Sequence, residues 1–347
     1  MKRQVQRLIA GAIVLSAAPS TAAWAGIDFT AGDWKVDISG NVNAFYVGAN
    51  CDDGANTAVV GGLACTGDKA VSVRNGLLPA SIVFSATSRQ GDYDVGVTIG
   101  FYPGINSSAA AGVNGPGLPA ALQTPGIDAR QAFFTIGDAS WGTVKLGRDI
   151  GLFGKDAILD DMTLLSVGST GGNAAPGNTS LGRIGIGYIY TDWEPQITYT
   201  TPTFNGFSAS AGIFQPLNSE ASVVDVDVNS VVQPVAFSAR YSKHTAPQIQ
   251  VGASYTWGDA ASGALNGKVW VDLVSQKGQA TLADVAANAP GASTSYNGTG
   301  VDGGIKLSVA GFEGVLYGYT GKGIGTTGLY ILPTSTSGGK RKSDGGY

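Results

Sequence analysis

A long segment, residues 148–182, carries three carboxylates that could face basic side chains elsewhere in the chain. The acidic residues are Asp156, Asp160 and Asp161. The basic candidates are Arg130, Lys145 and Arg183. If the segment folded across a water-filled space, the opposed charges would create a transverse field that orders water and orients dipolar solutes. The alternative is that these residues are scattered, solvated loop charges.

The sequence shows no pattern that is typical of catalysis. Its single histidine, His244, lies in a polar stretch and is expected to be incidental surface. No Ser/His/Asp arrangement and no cluster with metal-ligand spacing occurs. Glycine patterns such as the one at 182–186 fall in alternating, strand-like sequence, so they do not predict a phosphate-binding loop. The sequence therefore predicts neither an enzyme nor a bound cofactor.

The N-terminus has the features of an export signal in the usual order. Lys2, Arg3 and Arg7 precede an apolar stretch at 8–18, which is too short to span a bilayer as a helix. Residues 23–25 read Ala-Trp-Ala, which fits the small-x-small rule for signal peptidase. We predict a signal peptide at 1–25 and one domain at 26–347; the alternative is an apolar N-terminal helix of a cytosolic protein.

Two cysteines, Cys51 and Cys65, lie close together in a stretch rich in Gly, Asp and Asn. An exported chain meets an oxidising compartment, where such a pair can form a disulfide that closes a small loop. We predict this disulfide, with two reduced loop thiols as the alternative. Metal binding by two lone cysteines is not expected.

Composition excludes several classes of protein. Charged residues make up only 13% of the chain, about half the ordinary share, and Gly accounts for 53 of 347 residues, about twice the ordinary share. Without the three basic residues of the signal, 18 basic residues face 25 acidic ones, which argues against a nucleic-acid partner. No apolar run reaches about 18 residues, so a helical membrane protein is not expected.

Apolar and polar residues alternate in segments of about 9–11 residues, the length of a tilted membrane-spanning strand. The clearest segments are 34–47, 78–87, 93–101, 207–213, 249–257 and 301–309. Aromatic residues such as Tyr46, Phe101 and Trp257 fall near strand ends on the apolar face, where an interfacial girdle belongs. The pattern predicts an all-β fold.

Connections between these segments alternate in length. Tight turns are expected at 89–91, 138–140, 202–206 and 310–312. Long loops are expected near 48–77, 103–126, 148–182, 215–247 and 277–298. Short turns on one side and long loops on the other are typical of an outer-membrane β-barrel, whereas a soluble β-sandwich usually has short turns at both ends.

Two regions are less regular. The alternating residues at 235–241 could form a strand, but a strand there would break the short-long order, so we place them within the fourth long loop. The apolar positions are even at 184–190 and odd at 197–199. We expect one strand with a β-bulge near Glu194 and Pro195, or else a separate hairpin turn.

Several motifs resemble the trimeric porins of Gram-negative bacteria, of the alphaproteobacterial type. These are RQAFF at 130–134, WGT at 141–143, LGR at 146–148 with the acidic segment that follows, and the residues at 321–327 and 343–347. The resemblance implies a transmembrane antiparallel barrel of 16 strands, a homotrimer in outer-membrane lipid, and passive diffusion of small hydrophilic solutes and ions. It also implies an inward-folded third loop, and Arg130 matches a wall arginine of the family's constriction.

The chain departs from this resemblance at its end. We find about eleven strands, whereas single-chain bacterial barrels have even numbers. Residues 340–344 read as a loop where a closing amphipathic strand is expected. We therefore expect a C-terminally truncated sequence, which would leave unpaired strand edges in lipid and should not assemble alone. The alternatives to a channel are a non-transport barrel that acts as an adhesin or structural protein, and a barrel enzyme.

Overall fold

The structure is a computed structural model. It describes residues 26–50, 69–105, 126–168, 178–180, 184, 187–220, 225–228, 231–234, 240–259, 263–288, 293–335 and 339–347.

Nearly all regular structure in these residues is β-strand. The strands and helices are, in chain order, β1 (Ile27–Ala31), β2 (Trp34–Asn41), β3 (Phe45–Asn50), β4 (Lys69–Arg74), β5 (Ser81–Gln90), β6 (Tyr93–Pro103), β7 (Ile127–Asp138), β8 (Gly142–Ile150), α1 (Lys155–Leu159), β9 (Trp193–Thr200), β10 (Phe207–Phe214), β11 (Ser219–Glu220), β12 (Asp225–Val228), β13 (Val231–Pro234), β14 (Arg240–Tyr241), β15 (Gln248–Trp257), β16 (Asn266–Gln279), α2 (Leu282–Ala287), β17 (Ser295–Val309), β18 (Phe312–Lys322) and β19 (Lys342–Gly346). Among the described residues, no helix is long and apolar enough to cross a membrane.

Thirteen strands form one sheet, and each is antiparallel to the next strand of that sheet along the chain. The order is β1-β2-β5-β6-β7-β8-β9-β10-β15-β16-β17-β18-β19. The expected all-β fold is confirmed. Within the described residues β1 and β19 are the edges of the sheet, which is not closed between them.

The expected alternation of short and long connections is also present. Two residues join β5 to β6, three join β7 to β8, and two join β17 to β18. The connections that follow β2, β6, β8, β10, β16 and β18 are all much longer. The pairs β3–β4, β11–β14 and β12–β13 belong to these long connections and form small separate sheets.

The two faces of the sheet differ as the period-2 pattern predicts. On β15, Ile249 and Val251 are 41% and 39% exposed, whereas Gln250 between them is fully buried. The register carries the apolar face from strand to strand, because Val97 lies opposite both Ala86 and Phe134. The exposed apolar face is the one expected to meet lipid.

The buried face of the sheet holds a segment that we call the in-folded segment; it consists of the described residues of 151–192, the connection from β8 to β9. The Tyr347 hydroxyl donates to the carbonyl of Ala157 at 2.6 Å, and the backbone N–H of Leu77 donates to the carbonyl of Ser166 at 2.9 Å. The segment therefore contacts Leu77, which precedes the third strand of the sheet order, and Tyr347, which follows the last strand. A flat sheet could not make these contacts, so the sheet curls around the segment.

Most of the core lies between this segment and the inner face of β15–β18. One cluster contains Phe153 and Ile189 from the segment, packed with Val274 and Tyr296 from the sheet. A second contains Ala157 and Ile158 of α1 with Trp270 and Tyr317. Burial of these side chains fixes the segment against the inner face of the sheet, which we call the wall.

Two local expectations are wrong. The alternating residues 34–47 do not form one strand, because the chain leaves the sheet after Asn41. Asn43 stabilises the bend: its side-chain amide donates to the carbonyl of Leu78, and its Oδ1 accepts from the backbone N–H of Gly76. Alternation persists on both sides of the bend and hides it.

The expected β-bulge near Glu194 and Pro195 is wrong as well. These residues pair with Asp149 and Arg148 of β8 in unbroken register. The phase changes because β9 begins at Trp193, just after Asp192, whose φ is 70°. The described residues of 184–190 are part of the in-folded segment instead of the strand.

The ends of the chain supply strands that the sequence did not reveal. Residues Lys342–Gly346 form β19, paired with β18, although 340–344 were expected to be a loop. The short β1 was also missed, and the main sheet has thirteen strands instead of about eleven. In the fourth long connection, β14 pairs with β11 away from the main sheet, as expected; residues 235–239 lie outside the described residues.

Candidate functional site

The in-folded segment begins with a sharp change of direction. Gly154 has φ of +79°, which favours glycine, and a Cβ there would lie 3.1 Å from the carbonyl oxygen of Ile189. Helix α1 follows immediately and is only five residues long. The turn at Gly154 therefore sets the direction in which α1 presents its side chains.

Helix α1 and the residue that caps its C-terminus, Asp160, present two carboxylates to the wall. Asp156 and Asp160 are four residues apart, so they lie on one face of the helical turn. Asp156 Oδ1 is 2.7 Å from Lys268 Nζ, and Asp160 Oδ1 is 3.3 Å from Lys306 Nζ. Asp160 Oδ2 also lies 4.0 Å from Lys268 Nζ. Two carboxylates of the segment are thus held by two lysines of the wall.

The register of the sheet explains why two lysines are available there. Lys268 of β16 lies directly opposite Lys306 of β17. Like charges in facing positions destabilise a sheet, so this pair needs counter-charges. Asp156 and Asp160 supply them, and both lysine side chains remain 29% exposed. Glu313 of β18 also pairs with Lys306, at 3.6 Å between Oε2 and Nζ. The ion-paired cluster therefore has two lysines and three carboxylates, and it is partly exposed.

Asp161 has a different environment from its neighbours. Its side chain is buried, and Oδ1 accepts from the backbone N–H and the hydroxyl of Thr163 at 2.8 and 2.7 Å. Its Oδ2 accepts from the Tyr188 hydroxyl at 3.1 Å. Asp161 therefore stabilises the turn after α1 and a contact within the segment.

The basic residues expected from the sequence have other partners. Arg130 Nε donates to Asp128 Oδ2 at 2.7 Å, and its side chain is buried next to the rings of Tyr102 and Trp193. Lys145 pairs with Asp149, four residues further along β8. Arg183 lies outside the described residues. The structure brings Asp156 and Asp160 to Lys268 and Lys306 instead.

A second pair of carboxylates lies on the wall next to α1. Asp272 and Asp302 face each other across β16 and β17 and are 5% and 2% exposed. The Tyr317 hydroxyl donates to Asp302 Oδ2 at 3.0 Å. Asp272 Oδ2 and Asp302 Oδ1 are buried and have no hydrogen-bond partner among the described residues. Sequence analysis did not single out this pair.

Burial also changes the ionisation of the segment's last residues. It raises the pKa of the Asp192 carboxyl above its usual value, and it raises the pKa of the Tyr190 phenol. The backbone N–H of Trp193 donates to Asp192 Oδ1 at 2.7 Å and opposes the effect on Asp192. Desolvation at the end of the segment is thus the main cause of both shifts.

The open space lies against the inner face of β1, β2 and β5–β8. It includes two open cavities of about 510 and 470 Å³. Their lining is rich in hydroxyl and charged side chains, among them Lys35, Asp37, Thr87, Thr135 and Thr143. A polar lining of this kind suits hydrated ions and small hydrophilic solutes. No group of three or more potential metal ligands gathers in the described part of the chain.

Some signal for the wall lysines was present in the sequence. Lys268 lies between the apolar residues Gly267 and Val269, and Lys306 lies between Ile305 and Leu307, so alternation places both on the inner face. Alternation does not reveal which inner-face residues meet across the enclosed space, and this is why Lys268 was missed as a partner of the acidic segment.

Comparison with known proteins agrees with this architecture. A family model of Gram-negative porins matches residues 10–341. None of the curated proteins matches the chain. Nothing in the comparisons supports the alternative of an adhesin.

Several solved structures are similar. The outer membrane channel DcaP of Acinetobacter baumannii is 16% identical, with a TM-score of 0.51 over 87% of this chain and 68% of that one. OmpF of Salmonella typhi, in complex with daunomycin, is 11% identical, with a TM-score of 0.45 over 85% and 68%. An anion-selective porin from Comamonas acidovorans is 14% identical, with a TM-score of 0.39 over 83% and 73%. The first supports the fold.

The family match extends over nearly the whole chain and agrees with the antiparallel sheet, the apolar outer face and the polar interior. The chain therefore belongs to the Gram-negative porins and is an outer-membrane channel for passive diffusion.

Proposed function

We propose that the in-folded segment forms the constriction of this channel and that charged groups beside α1 act on each passing solute. The supporting observation is the ion-paired cluster of Asp156 and Asp160 with Lys268 and Lys306. It lies where the segment crosses the interior, and its lysines are partly exposed. Small hydrophilic solutes and ions would pass between this cluster and the hydroxyl-rich face of β1–β8.

The cluster acts by electrostatics and size without catalysis. A transverse field between carboxylates and ammonium groups orders water and orients dipolar solutes, and the width beside α1 limits their size. Field lines concentrate at a narrow point because the surrounding wall has a low dielectric constant. Of the residues expected from the sequence, we assign this role to Asp156 and Asp160, and we assign to Arg130, Lys145 and Asp161 an effect on the shape of the interior.

The test is ion selectivity in planar bilayers. The double variant Asp156→Asn with Asp160→Asn removes both carboxylate partners of Lys268 and leaves Lys306 with Glu313 alone, so the reversal potential across a salt gradient should move towards anion selectivity. Asp92→Asn, in the turn between β5 and β6, is the control and should behave as wild type. A reversal potential that moves only in the control would show that the in-folded segment is not the filter.

We also propose that the mature protein begins at Gly26 and assembles as a homotrimer. The order of charges, apolar stretch and small residues at 1–25 supports the first proposal, and the resemblance to trimeric porins supports the second. N-terminal sequencing of protein from outer membranes and chemical cross-linking in mild detergent test the two separately. A mature protein that retains Met1, or a single cross-linked species of monomer size, would contradict them.

The pairing of Cys51 with Cys65 remains a proposal, because both lie outside the described residues. They belong to the connection between β3 and β4, which the alternation of loops places on the long-loop side. Thiol labelling of the exported protein should require prior reduction. Labelling of both thiols without reduction would show that the cysteines are free.

A further inference from the structure

Three glutamine side chains are buried on the inner face of β15 and β16. Gln248 and Gln250 are fully buried and Gln276 is 1% exposed. A primary amide has two donors and an acceptor, and burying it without partners is costly. These three side chains are therefore expected to be part of a satisfied network, and the structure shows one that reaches two loops.

Gln250 contacts both ends of the in-folded segment. Its Oε1 accepts from the backbone N–H groups of Leu152 and Phe153 at 2.6 and 2.9 Å, at the start of the segment. Its Nε2 donates to Glu194 Oε1 at 3.3 Å, two residues after the segment ends. One side chain thus bridges the point where the chain leaves the sheet and the point where it returns.

The network continues away from the segment. Gln250 Nε2 also donates to Gln248 Oε1, and Gln248 Nε2 donates to Gln276 Oε1 at 3.0 Å. Gln276 then makes two bonds with the backbone of Leu217: its Nε2 donates to the carbonyl at 2.7 Å and its Oε1 accepts from the N–H at 2.8 Å. Leu217 belongs to the long loop between β10 and β15.

The orientation of every amide in this network follows from its two ends. Backbone N–H groups can only donate, so the Gln250 oxygen must face Leu152 and Phe153, and its NH2 must face Gln248. The same reasoning turns the Gln248 oxygen towards Gln250 and its NH2 towards Gln276. The three amides are aligned head to tail, and aligned buried hydrogen bonds strengthen one another.

We propose that this relay of Gln250, Gln248 and Gln276 positions the constriction and couples it to the long loop that contains Leu217. The inference rests on the proposed role of the in-folded segment. Gln250 is a positioning residue. Its hydrogen bonds go to the start of the in-folded segment, to Glu194 and to Gln248, and none of them goes to a group that faces the open space. Gln276 has no contact with the segment among the relay's bonds, so it can act on the constriction only through the other two amides.

Single-channel recordings test the relay. Gln250→Leu removes the acceptor for two buried N–H groups, so the segment should move more freely and the variance of the open-channel current should rise about twofold or more. Gln276→Leu should change the variance in the same direction through the relay. The double variant should match Gln250→Leu alone, because residues of one network are not additive. Gln279→Leu, on the same strand but outside the relay, is the matched control.

Each outcome decides one part of the proposal. If the Gln250→Leu protein still migrates as a folded barrel and its open-channel current has the same variance as the wild type, the positioning role is overturned. If the current variance rises in Gln250→Leu but is the same in Gln276→Leu as in the control Gln279→Leu, the coupling between the loops is overturned. Failure of the constriction itself is separate, because it would appear as an unchanged reversal potential in the Asp156→Asn, Asp160→Asn variant.

Discussion

Removing the two wall lysines should make the channel cation-selective. In the wild type, Lys268 and Lys306 offset the charges of Asp156 and Asp160, whose side chains are 12% and 15% exposed. Replacing both lysines with glutamine keeps most of their volume and removes the cationic partners of Asp156, Asp160 and Glu313. The expected change is therefore an added charge of −2 at the narrowest part of the interior.

The size of the effect follows from Coulomb's law. A univalent ion that passes about 6 Å from one unpaired charge gains or loses about 0.7 kcal/mol in water. Salt at about 0.15 M screens this to roughly half. The added charge of −2 favours a cation by about 0.7 kcal/mol and disfavours an anion by about the same amount, so the difference between the two ions changes by about 1.4 kcal/mol. The cation-to-anion permeability ratio should rise about tenfold.

The assay is the reversal potential across a salt gradient, with Lys277→Gln as the control. Lys277 is on the same strand as Lys268 but is exposed near its far end. The quadruple variant, in which Asp156 and Asp160 also become asparagine, restores the net charge and should return the potential close to wild type. If it stays as cation-selective as the lysine double variant, movement of the segment, instead of charge, causes the shift. If no variant differs from the control, ions do not pass beside α1.

Three further outcomes are expected. Val97→Arg places a charge on the lipid-facing side and should destabilise the folded protein by about 2–4 kcal/mol, whereas Thr98→Arg, on the inner face, should be tolerated; equal yields of folded protein would refute the register. Asp272→Asn should raise the temperature of unfolding, because it removes one ionisable group from the buried pair and places an amide donor beside the Asp302 carboxyl, a gain on the order of 1 kcal/mol; a lower temperature would contradict this. Asp161→Asn should lower the unfolding temperature with little change in selectivity, since Asp161 is buried in a turn; a large selectivity change would show that it faces the solute.

The faces of the strands could be predicted from the sequence because a strand has a fixed period of two residues. Ile249, Gln250 and Val251 illustrate this, since their exposure alternates as their polarity does. The order of short and long connections was equally readable. Errors arose where alternation continued through a change of structure, as at the bend beside Asn43. A hydrogen-bonded bend of this kind leaves the alternation of apolar and polar residues unchanged, so the alternation cannot reveal it.

The carboxylate partners could not be predicted for a related reason. Sequence places Arg130, Lys145 and Lys268 on inner faces alike, but the strands that carry them are separated around the curled sheet. Which of them meets Asp156 depends on where the in-folded segment touches the wall, and contacts such as that of Gln250 with Leu152 and Phe153 decide this. Those contacts join residues about a hundred positions apart. The charge pattern beside α1 therefore depends on uncharged side chains that hold the segment, and changes in the relay should alter selectivity without altering any charge.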